Sequence, residues 1–287
     1  MRPLRKPWFF QSPKTGSLLV LSIWTLTTLS VLAVGVSRIT SSQLKIARRL
    51  EERALSQYLA QAAVLHAWAL RRADQTPHDT VRELHAVQSR ELGRGAFRYT
   101  LDDETNRIHL NRASPEILAR VPGLGPDGAA AIMTSTWRPF PLKEEVRWVA
   151  GVTDERYQQS RDFLTVYGTG AVNINTAPPE VLRALGLDHG LVDTIARFRA
   201  GRDGQEGTAD DGVFEQPGEI ISVLRSSTGL LATQEAALLQ LISQGLLDVK
   251  STALTIHVQT VVLGKPTMRY AIVVDPVQQK IRQWSEW

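Results

Sequence analysis

The sequence contains no cysteine, which excludes disulfides, thiolate zinc sites and cysteine nucleophiles. Motifs that identify common enzyme classes are also missing: there is no nucleophile elbow, no Walker loop and no dinucleotide fingerprint. The histidines show no paired metal spacing; they are His66, His78, His85, His109, His189 and His257. We therefore expect no enzymatic activity, and we expect each histidine to be packed or at the surface.

The first 16 residues lack acidic side chains and hold four basic ones, Arg2, Arg5, Lys6 and Lys14. The whole chain has 33 basic and 29 acidic residues, so without these four the remainder carries 29 of each. The sequence pI of about 9.5 therefore reflects the N-terminus. It does not indicate a nucleic-acid-binding surface in the rest of the chain.

Residues 17–37 contain no charged side chain. As a helix they would extend about 31 Å, which matches the apolar core of a bilayer. Their serine and threonine hydroxyls can bond to carbonyls of their own helix. We predict a single transmembrane helix with the short basic N-terminus in the cytoplasm. The alternatives are a cleaved secretory signal, with Ala33 and Gly35 at its cleavage site, and a buried helix of a soluble protein.

Apolar residues continue at spacings of three and four through residues 38–72, which predicts that the helix extends beyond the span. They form one stripe: Leu44, Ala47, Leu50, Ala54, Tyr58, Ala62, Leu65 and Ala69. Charged side chains lie mostly off this stripe, and its alanines make it a poor coiled-coil seam. We expect the span and this segment to form one long helix, with the apolar stripe as its packing face.

Strand-like segments flank the middle of the chain. Residues 75–95 are expected to be a loop or short helix. Polar and apolar residues alternate through residues 97–101, which predicts a strand. Residues 102–106 are then expected to form a polar turn, and residues 108–111 a short extended piece. Runs 253–264, 267–275 and 277–284, separated by Gly264-Lys265-Pro266 and Asp275-Pro276, predict an antiparallel meander. The tryptophans expected in the core or on a sheet face are Trp137, Trp148, Trp284 and Trp287.

Residues 108–118 recur in similar form 64 positions later, at residues 172–182. Each copy places a cap signal, a proline and a glutamate at the start of a helix. The first copy continues through Val121-Pro122-Gly123-Leu124-Gly125, which matches a helix-hairpin-helix motif. A degraded version follows the second copy at residues 184–190. We therefore predict two helical repeats.

Helix-hairpin-helix motifs often bind DNA phosphates through hairpin amides and nearby basic side chains. Here Asp127 stands where a basic residue is expected, and the second copy carries Asp188. An acid at a phosphate contact repels the ligand, and the chain after Gly16 is formally neutral. Nucleic acid is thus not an expected partner, and a structural role for the hairpins is favoured.

A glycine-rich acidic loop spans residues 203–212 in the second repeat. Its candidate ligands are Asp203, Glu206, Asp210 and Asp211. Oxygen donors on a flexible loop suit calcium, although the spacing is not that of an EF-hand. The loop by itself is equally consistent with a solvated turn.

The junction Lys14-Thr15-Gly16-Ser17 resembles the prepilin leader of type IV pilins and type II secretion pseudopilins. The resemblance implies cleavage by a prepilin peptidase between Gly16 and Ser17, with the apolar helix retained. The fifth mature residue would be Leu21, where most pilins have a glutamate that pairs with a neighbouring subunit.

The order of segments along nearly the whole chain resembles the GspK family of minor pseudopilins of type II secretion systems. The features that carry it are Gly16, Leu21, the pair Leu110-Asn111 and Ile174-Asn175, and residues 203–214. The resemblance implies calcium in the helical domain, other minor pseudopilins as partners and a place at the pseudopilus tip. It also implies a single-pass protein of the inner membrane, in contact with its lipid, with a periplasmic body. A tip subunit has none above it for a fifth-position glutamate to meet, which agrees with Leu21.

The predicted fold class is α+β: a long N-terminal transmembrane helix on a small antiparallel pilin-like sheet, with an inserted all-α helix-hairpin-helix or SAM-like repeat domain. The expected segments are a leader at 1–16, a transmembrane helix at 17–37, a pilin-like helix and first strands at 38–107, a first SAM-like repeat at 108–168, a second with the acidic loop at 169–250, and C-terminal strands at 251–287. The expected function is to initiate or cap the pseudopilus and support secretion across the outer membrane. The alternatives are a membrane-tethered helix-hairpin-helix DNA receptor of a competence-type system and a plain exported adaptor.

Overall fold

The computed structural model describes residues 16–287, and the side chains of residues 18–226 and 229–287. The predicted leader at residues 1–16 therefore lies outside the described residues except for Gly16, where the first helix begins. The chain divides into two compact units, Met1–Ala54 and Leu55–Trp287. The boundary falls within helix α1, Gly16–Ala73.

In the described part of the first unit, α1 is a continuous helix with an exposed apolar surface. It is long and apolar enough to cross a membrane. Its polar residues do not interrupt it, because hydroxyls bond to carbonyls one turn earlier, as in the bonds from Ser22 to Leu18 (2.8 Å) and from Thr28 to Trp24 (2.7 Å). This confirms the prediction that these hydroxyls are satisfied within their own helix.

The second unit contains a five-stranded antiparallel sheet. In their order across the sheet, its strands are β1 (Gln88–Leu92), β2 (Gly95–Asp103), β7 (Leu254–Val262), β8 (Lys265–Asp275) and β9 (Lys280–Glu286). The predicted C-terminal meander is present as β7, β8 and β9. A short helix, α2 (Val81–His85), precedes β1 and begins with a capping box between Thr80 and Glu83.

Two local predictions need correction. Residues 88–92, expected in a loop or short helix, form the edge strand β1, whose polar sequence gives no alternation of buried residues. The β7–β8 connection is a two-residue turn at Leu263 and Gly264, both at positive φ, so Lys265 and Pro266 belong to β8. Pro266 is tolerated there because it pairs with Val261 beside a register shift.

The sheet packs on the second-unit part of α1, but through a different face from the one predicted. The buried helix residues are Ser56, Leu59, Ala60, Ala63, Val64 and Ala67. They contact a core that includes Phe97, Tyr99, Ile256, Tyr270 and Ile272. Tyr58 and Leu65 of the predicted stripe remain 68% and 62% exposed.

A helical insert separates β2 from β7, with a hydrophobic core of its own. Its helices are α3 (Pro115–Arg120), α4 (Gly125–Thr134), α5 (Asp154–Ser160), α6 (Pro179–Ala184), α7 (His189–Arg199), α8 (Ile220–Thr228) and α9 (Ala232–Ser243). Two-residue strands β3 (Ile108–His109), β4 (Leu164–Thr165), β5 (Val172–Asn173) and β6 (Leu247–Asp248) complete it. The molecule is therefore α+β, as predicted.

Candidate functional site

The insert consists of two structural repeats closed in the same way. In the first, β3 pairs in parallel with β4, and in the second β5 pairs in parallel with β6. The amide of Leu110 bonds to the carbonyl of Thr165 at 2.8 Å, and the equivalent amide of Ile174 bonds to that of Asp248 at 2.9 Å. Each repeat therefore begins and ends at one short parallel bridge.

An asparagine at the same position of each repeat holds a buried phenylalanine segment. The Nδ2 of Asn111 donates to the carbonyl of Phe140 and its Oδ1 accepts from the amide of Phe140, both at 2.8 Å. Asn175 makes the same pair of bonds with Phe214, at 2.9 and 3.0 Å. These bonds satisfy backbone groups that no helix or strand pairs.

The insert joins the sheet at the end of β2, where two acidic residues of the predicted polar turn are buried. Asp103 is 1% exposed and Glu104 is 8% exposed. Asp103 accepts bonds from Asn173 Nδ2 at 3.0 Å and from Thr176 Oγ1 at 2.6 Å. Burial raises the pKa of the Asp103 carboxyl, and hydroxyl donors such as that of Thr176 oppose this. Local sequence gives no sign of this burial, because these donors lie about 70 residues away.

Glu104 connects the first repeat to the sheet. Its carboxylate accepts from Thr165 of β4 at 3.0 Å and from Thr255 of β7 at 2.5 Å, and it pairs with Arg107 at 2.9 Å. Since Thr165 closes the first repeat, this carboxylate fixes the repeat to the sheet.

A third buried acid, Asp79, ties the insert to the C-terminal end of α1. Its carboxylate pairs with Arg71 of α1 at 2.7 Å and with Lys250 at 3.1 Å. Lys250 also pairs with Asp74, just beyond α1, at 3.0 Å. The insert therefore lies at the end of the second unit where α1 terminates.

The first hairpin packs against its own domain. A Cβ on Gly123, which has φ +84°, would lie 2.9 Å from the carbonyl oxygen of Arg156 in α5, so only glycine fits this approach. Asp127 is exposed in the first turn of α4 and lies 3.8 Å from Arg156. In the second repeat, Asp188 caps α7 by accepting from the amide of Leu191 at 3.0 Å. Both acids thus stabilise helix starts.

In the acidic loop, carboxylates bind the loop's own donors. Asp210 accepts from the Arg202 amide at 2.7 Å and from the Thr208 hydroxyl at 2.8 Å, and these bonds lower its pKa. Asp211 accepts from the Gly207 amide at 2.7 Å.

The other two predicted ligands have different contacts: Asp203 accepts from the amide of Gln205 at 2.8 Å, and Glu206 pairs with Arg199 at 2.6 Å. All four side chains offer the oxygen donors that calcium prefers. Within residues 16–287, however, no three acidic or histidine side chains form a cluster arranged to hold a metal ion.

The tryptophan prediction holds for Trp284 and Trp287 and fails for Trp137 and Trp148. Trp284 packs against the sheet core, with its ring centroid 5.5 Å from that of Tyr270. Trp137 and Trp148 are 54% and 66% exposed and contact each other at 6.0 Å between centroids. Trp287 is exposed on the outer face of the sheet, beside Arg98 and His257.

Comparison with known proteins agrees with this architecture. A family model described as a helix-hairpin-helix motif matches residues 103–165, which confirms the first hairpin. No curated protein sequence matches the chain.

Among solved structures, one chain of the crystal structure of the GspK–GspI–GspJ complex from the enterotoxigenic Escherichia coli type 2 secretion system is similar to this chain. The TM-score is 0.51 and the sequence identity 17%, over 86% of this chain and 97% of that chain. At this identity the likeness establishes the fold. The predicted resemblance to GspK is therefore confirmed at the level of the pilin-like α+β fold.

Proposed function

We propose that this protein is a GspK-like minor pseudopilin of a type II secretion system. The observation that carries the proposal is the shared fold over 86% of the chain with a structure determined as a complex of GspK, GspI and GspJ. An apolar N-terminal helix long enough to cross a membrane also supports it. In this proposal the helix anchors the protein in the inner membrane, with the N-terminus cytoplasmic and the body periplasmic.

The N-terminus is proposed to be processed by a prepilin peptidase between Gly16 and Ser17. The change from a basic leader to an uncharged segment at this glycine supports the assignment. Cleavage on the cytoplasmic side would leave the apolar part of α1 attached to the body, so the protein would remain in the lipid bilayer.

A position at the pseudopilus tip is supported by where the insert attaches. The ion pairs of Asp74 and Asp79 with Lys250 hold the insert at the C-terminal end of α1. This is the end farthest along the chain from the membrane segment, and a bulky domain there would obstruct another subunit. The protein would then initiate or cap assembly and act as a structural component rather than an enzyme.

Contacts with other minor pseudopilins are proposed along the outward face of α1. In the second unit Tyr58 and Leu65 are exposed on the side of the helix opposite its buried face. An exposed apolar stripe is typical of a helix that packs against a partner.

Calcium is proposed to bind the acidic loop through Asp203, Glu206, Asp210 and Asp211. The support is chemical: the side chains are oxygen donors on a loop with several glycines. A bound divalent cation would neutralise carboxylates that lie close in sequence and would stiffen the loop.

The test is the N-terminus and intact mass of the membrane-bound protein, with and without the host prepilin peptidase. We expect peptidase-dependent loss of residues 1–16. Gly16→Leu should keep the leader and stop secretion, whereas Gly35→Leu, at a glycine with open space around it, should still be cleaved. An intact Met1 in the presence of the peptidase contradicts the proposal, and so does cleavage after the span.

A further inference from the structure

A cleft of about 830 Å³ lies beside the first repeat, away from the hairpins and the acidic loop. Its lining includes His109, Arg112, Phe140, Tyr167, Val277 and Arg282, so it is bounded by the repeat and by the β8–β9 connection. Its size is in the range of clefts that bind ligands or peptide segments.

His109 is a buried side chain with one unused donor on this cleft. The residue is 6% exposed, and its Nδ1 accepts from the amide of Asn111 at 3.2 Å. Burial, with Arg112 and Arg138 nearby, lowers its pKa to about 4, so the ring is neutral at pH 7 with its proton on Nε2. Among the described residues, no hydrogen-bond acceptor is found for that Nε2–H.

Arg112 supplies a second donor at the same place. One of its guanidinium nitrogens donates to the carbonyl of Thr169 at 2.8 Å, and it has no acidic partner in the described part of the chain. Asp275, which also lines the cleft, is already paired with Arg282 at 3.0 Å. The cleft therefore presents a net excess of donors and positive charge.

In the second repeat, the side chains at the two corresponding positions bind a carboxylate. With the 64-residue offset, His109 corresponds to Asn173 and Arg112 to Thr176. Asn173 and Thr176 both donate to the carboxylate of Asp103, at 3.0 and 2.6 Å. The side chain of Asn173 also accepts from the amide two residues later, as His109 does. The second repeat thus contains an internal carboxylate at a place where the first repeat offers donors to a cleft.

We propose that the cleft binds a carboxylate side chain of an acidic segment of a partner polypeptide, held by His109 Nε2–H and the Arg112 guanidinium. This carboxylate occupies the place that Asp103 has in the second repeat. We favour a polypeptide over a small anion for two reasons. The cleft is far larger than one carboxylate, and it carries the apolar side chain of Val277, which is 81% exposed. The proposal is independent of the pseudopilin assignment.

The experiment uses the full chain in detergent micelles with ¹⁵N-labelled histidine, and hexaglutamate as the probe. We expect saturable shifts of the His109 ring resonances with hexaglutamate and none with hexaglutamine. His109→Asp keeps an acceptor for the Asn111 amide, as the Asn173 side chain does in the second repeat, but has no donor for a carboxylate; an asparagine there would still donate, as Asn173 does to Asp103. Arg112→Gln removes the charge at an exposed site. Because a His109 variant lacks the reporting ring, binding to the variants is measured by the fluorescence anisotropy of labelled hexaglutamate. Each substitution should weaken binding about tenfold or more, the effect of losing a charge-assisted hydrogen bond.

Arg98→Gln, on the outer face of the sheet, is the matched control and should bind as the wild type does. If His109→Asp fails to fold, Arg112→Gln decides the question alone. The proposal is overturned if hexaglutamate does not bind, or if both cleft variants bind it as tightly as the wild type. It is also overturned if acetate at the same carboxylate concentration produces the same shifts, because the site then takes small anions.

Discussion

Asn175 holds the backbone of Phe214 through two bonds, accepting from its amide at 3.0 Å and donating to its carbonyl at 2.9 Å. Phe214 is fully buried and lies two residues after the end of the acidic loop. The side chain of Asn175 therefore anchors the C-terminal end of that loop to the start of the second repeat.

Asn175→Ala should lower the free energy of unfolding by about 2–5 kcal/mol, because a buried amide and a buried carbonyl both lose their partner. Denaturant titration of the full chain in detergent measures this. Asn111→Ala, which removes the equivalent bonds to Phe140, should cost a similar amount. Thr134→Ala, which loses only a bond to its own helix, should change stability by less than about 1 kcal/mol. Equal stability of Asn175→Ala and Thr134→Ala would show that the two bonds contribute nothing.

The two helical repeats are predictable from the sequence because the residues that identify them lie close together along the chain. Asn111, Asn175 and the cap residues after them are close along the chain to the helices they start. Their bonding partners are not: Phe140 and Phe214 lie 29 and 39 residues downstream, with different intervening loops. The sequence therefore predicts that the two repeats exist, and only the folded chain shows what each asparagine binds.

The orientation of α1 was not predictable from its apolar spacing. Alanine occurs on both sides of the helix, at Ala60 and Ala63 facing the sheet and at Ala69 facing outward. The apolar residues on the side of Tyr58 and Leu65 are therefore spaced as regularly as the buried residues, and spacing alone does not show which side faces the sheet. The acidic loop was identified by composition, but its bonds to local amides depend on backbone geometry that composition does not specify.

Glutamate on the outward face of α1 should abolish assembly without unfolding the body. Tyr58→Glu and Leu65→Glu change exposed positions, so we expect a stability change within about 0.5 kcal/mol. Because the new charges face an apolar partner surface, co-purification with other minor pseudopilins and secretion should be lost. Leu59→Ala, at a position 5% exposed, should instead destabilise the protein by about 2–4 kcal/mol. Normal assembly of both glutamate variants would assign the partner surface elsewhere.

The stability of the protein should fall with decreasing pH because of His109. The ordinary pKa of 6.5 falls to about 4 in the folded state, so between these values the unfolded chain binds more protons. This contribution is fully present above pH 6.5 and is lost as pH falls towards 4, by about 3 kcal/mol at most.

Denaturant titrations at pH 7.5, 5.5 and 4.5 measure this dependence. His109→Asn should remove that part of the slope, whereas His257→Asn, at an exposed position of β7, should keep it. Identical slopes for wild type and His109→Asn would mean that His109 is not held neutral by the fold.

Calcium should raise the melting temperature of the wild-type protein, and EGTA should reverse the effect. At a calcium concentration 100 times Kd, binding stabilises the folded state by about 2.7 kcal/mol. Asp210→Asn and Asp211→Asn also disturb loop hydrogen bonds, so the informative quantity is the difference between calcium and EGTA within each variant. That difference should shrink in both variants and persist in Asp162→Asn, an exposed acid of the first repeat. A melting temperature unaffected by calcium in the wild type contradicts the proposed ligands.

Duplex DNA should not bind to the insert even at low salt. Asp127 projects a carboxylate from the first turn of α4, and Gly123 packs against α5 rather than facing solvent. Phosphate binding to a hairpin needs free amides and positive charge, and produces affinity that falls steeply with salt.

Fluorescence anisotropy with labelled duplex in a salt series measures DNA binding to the full chain. A variant with Arg2, Arg5, Lys6 and Lys14 replaced by glutamine distinguishes DNA binding by the insert from DNA binding by the basic N-terminus. Salt-dependent affinity that survives in this variant would make the membrane-tethered DNA receptor the better assignment.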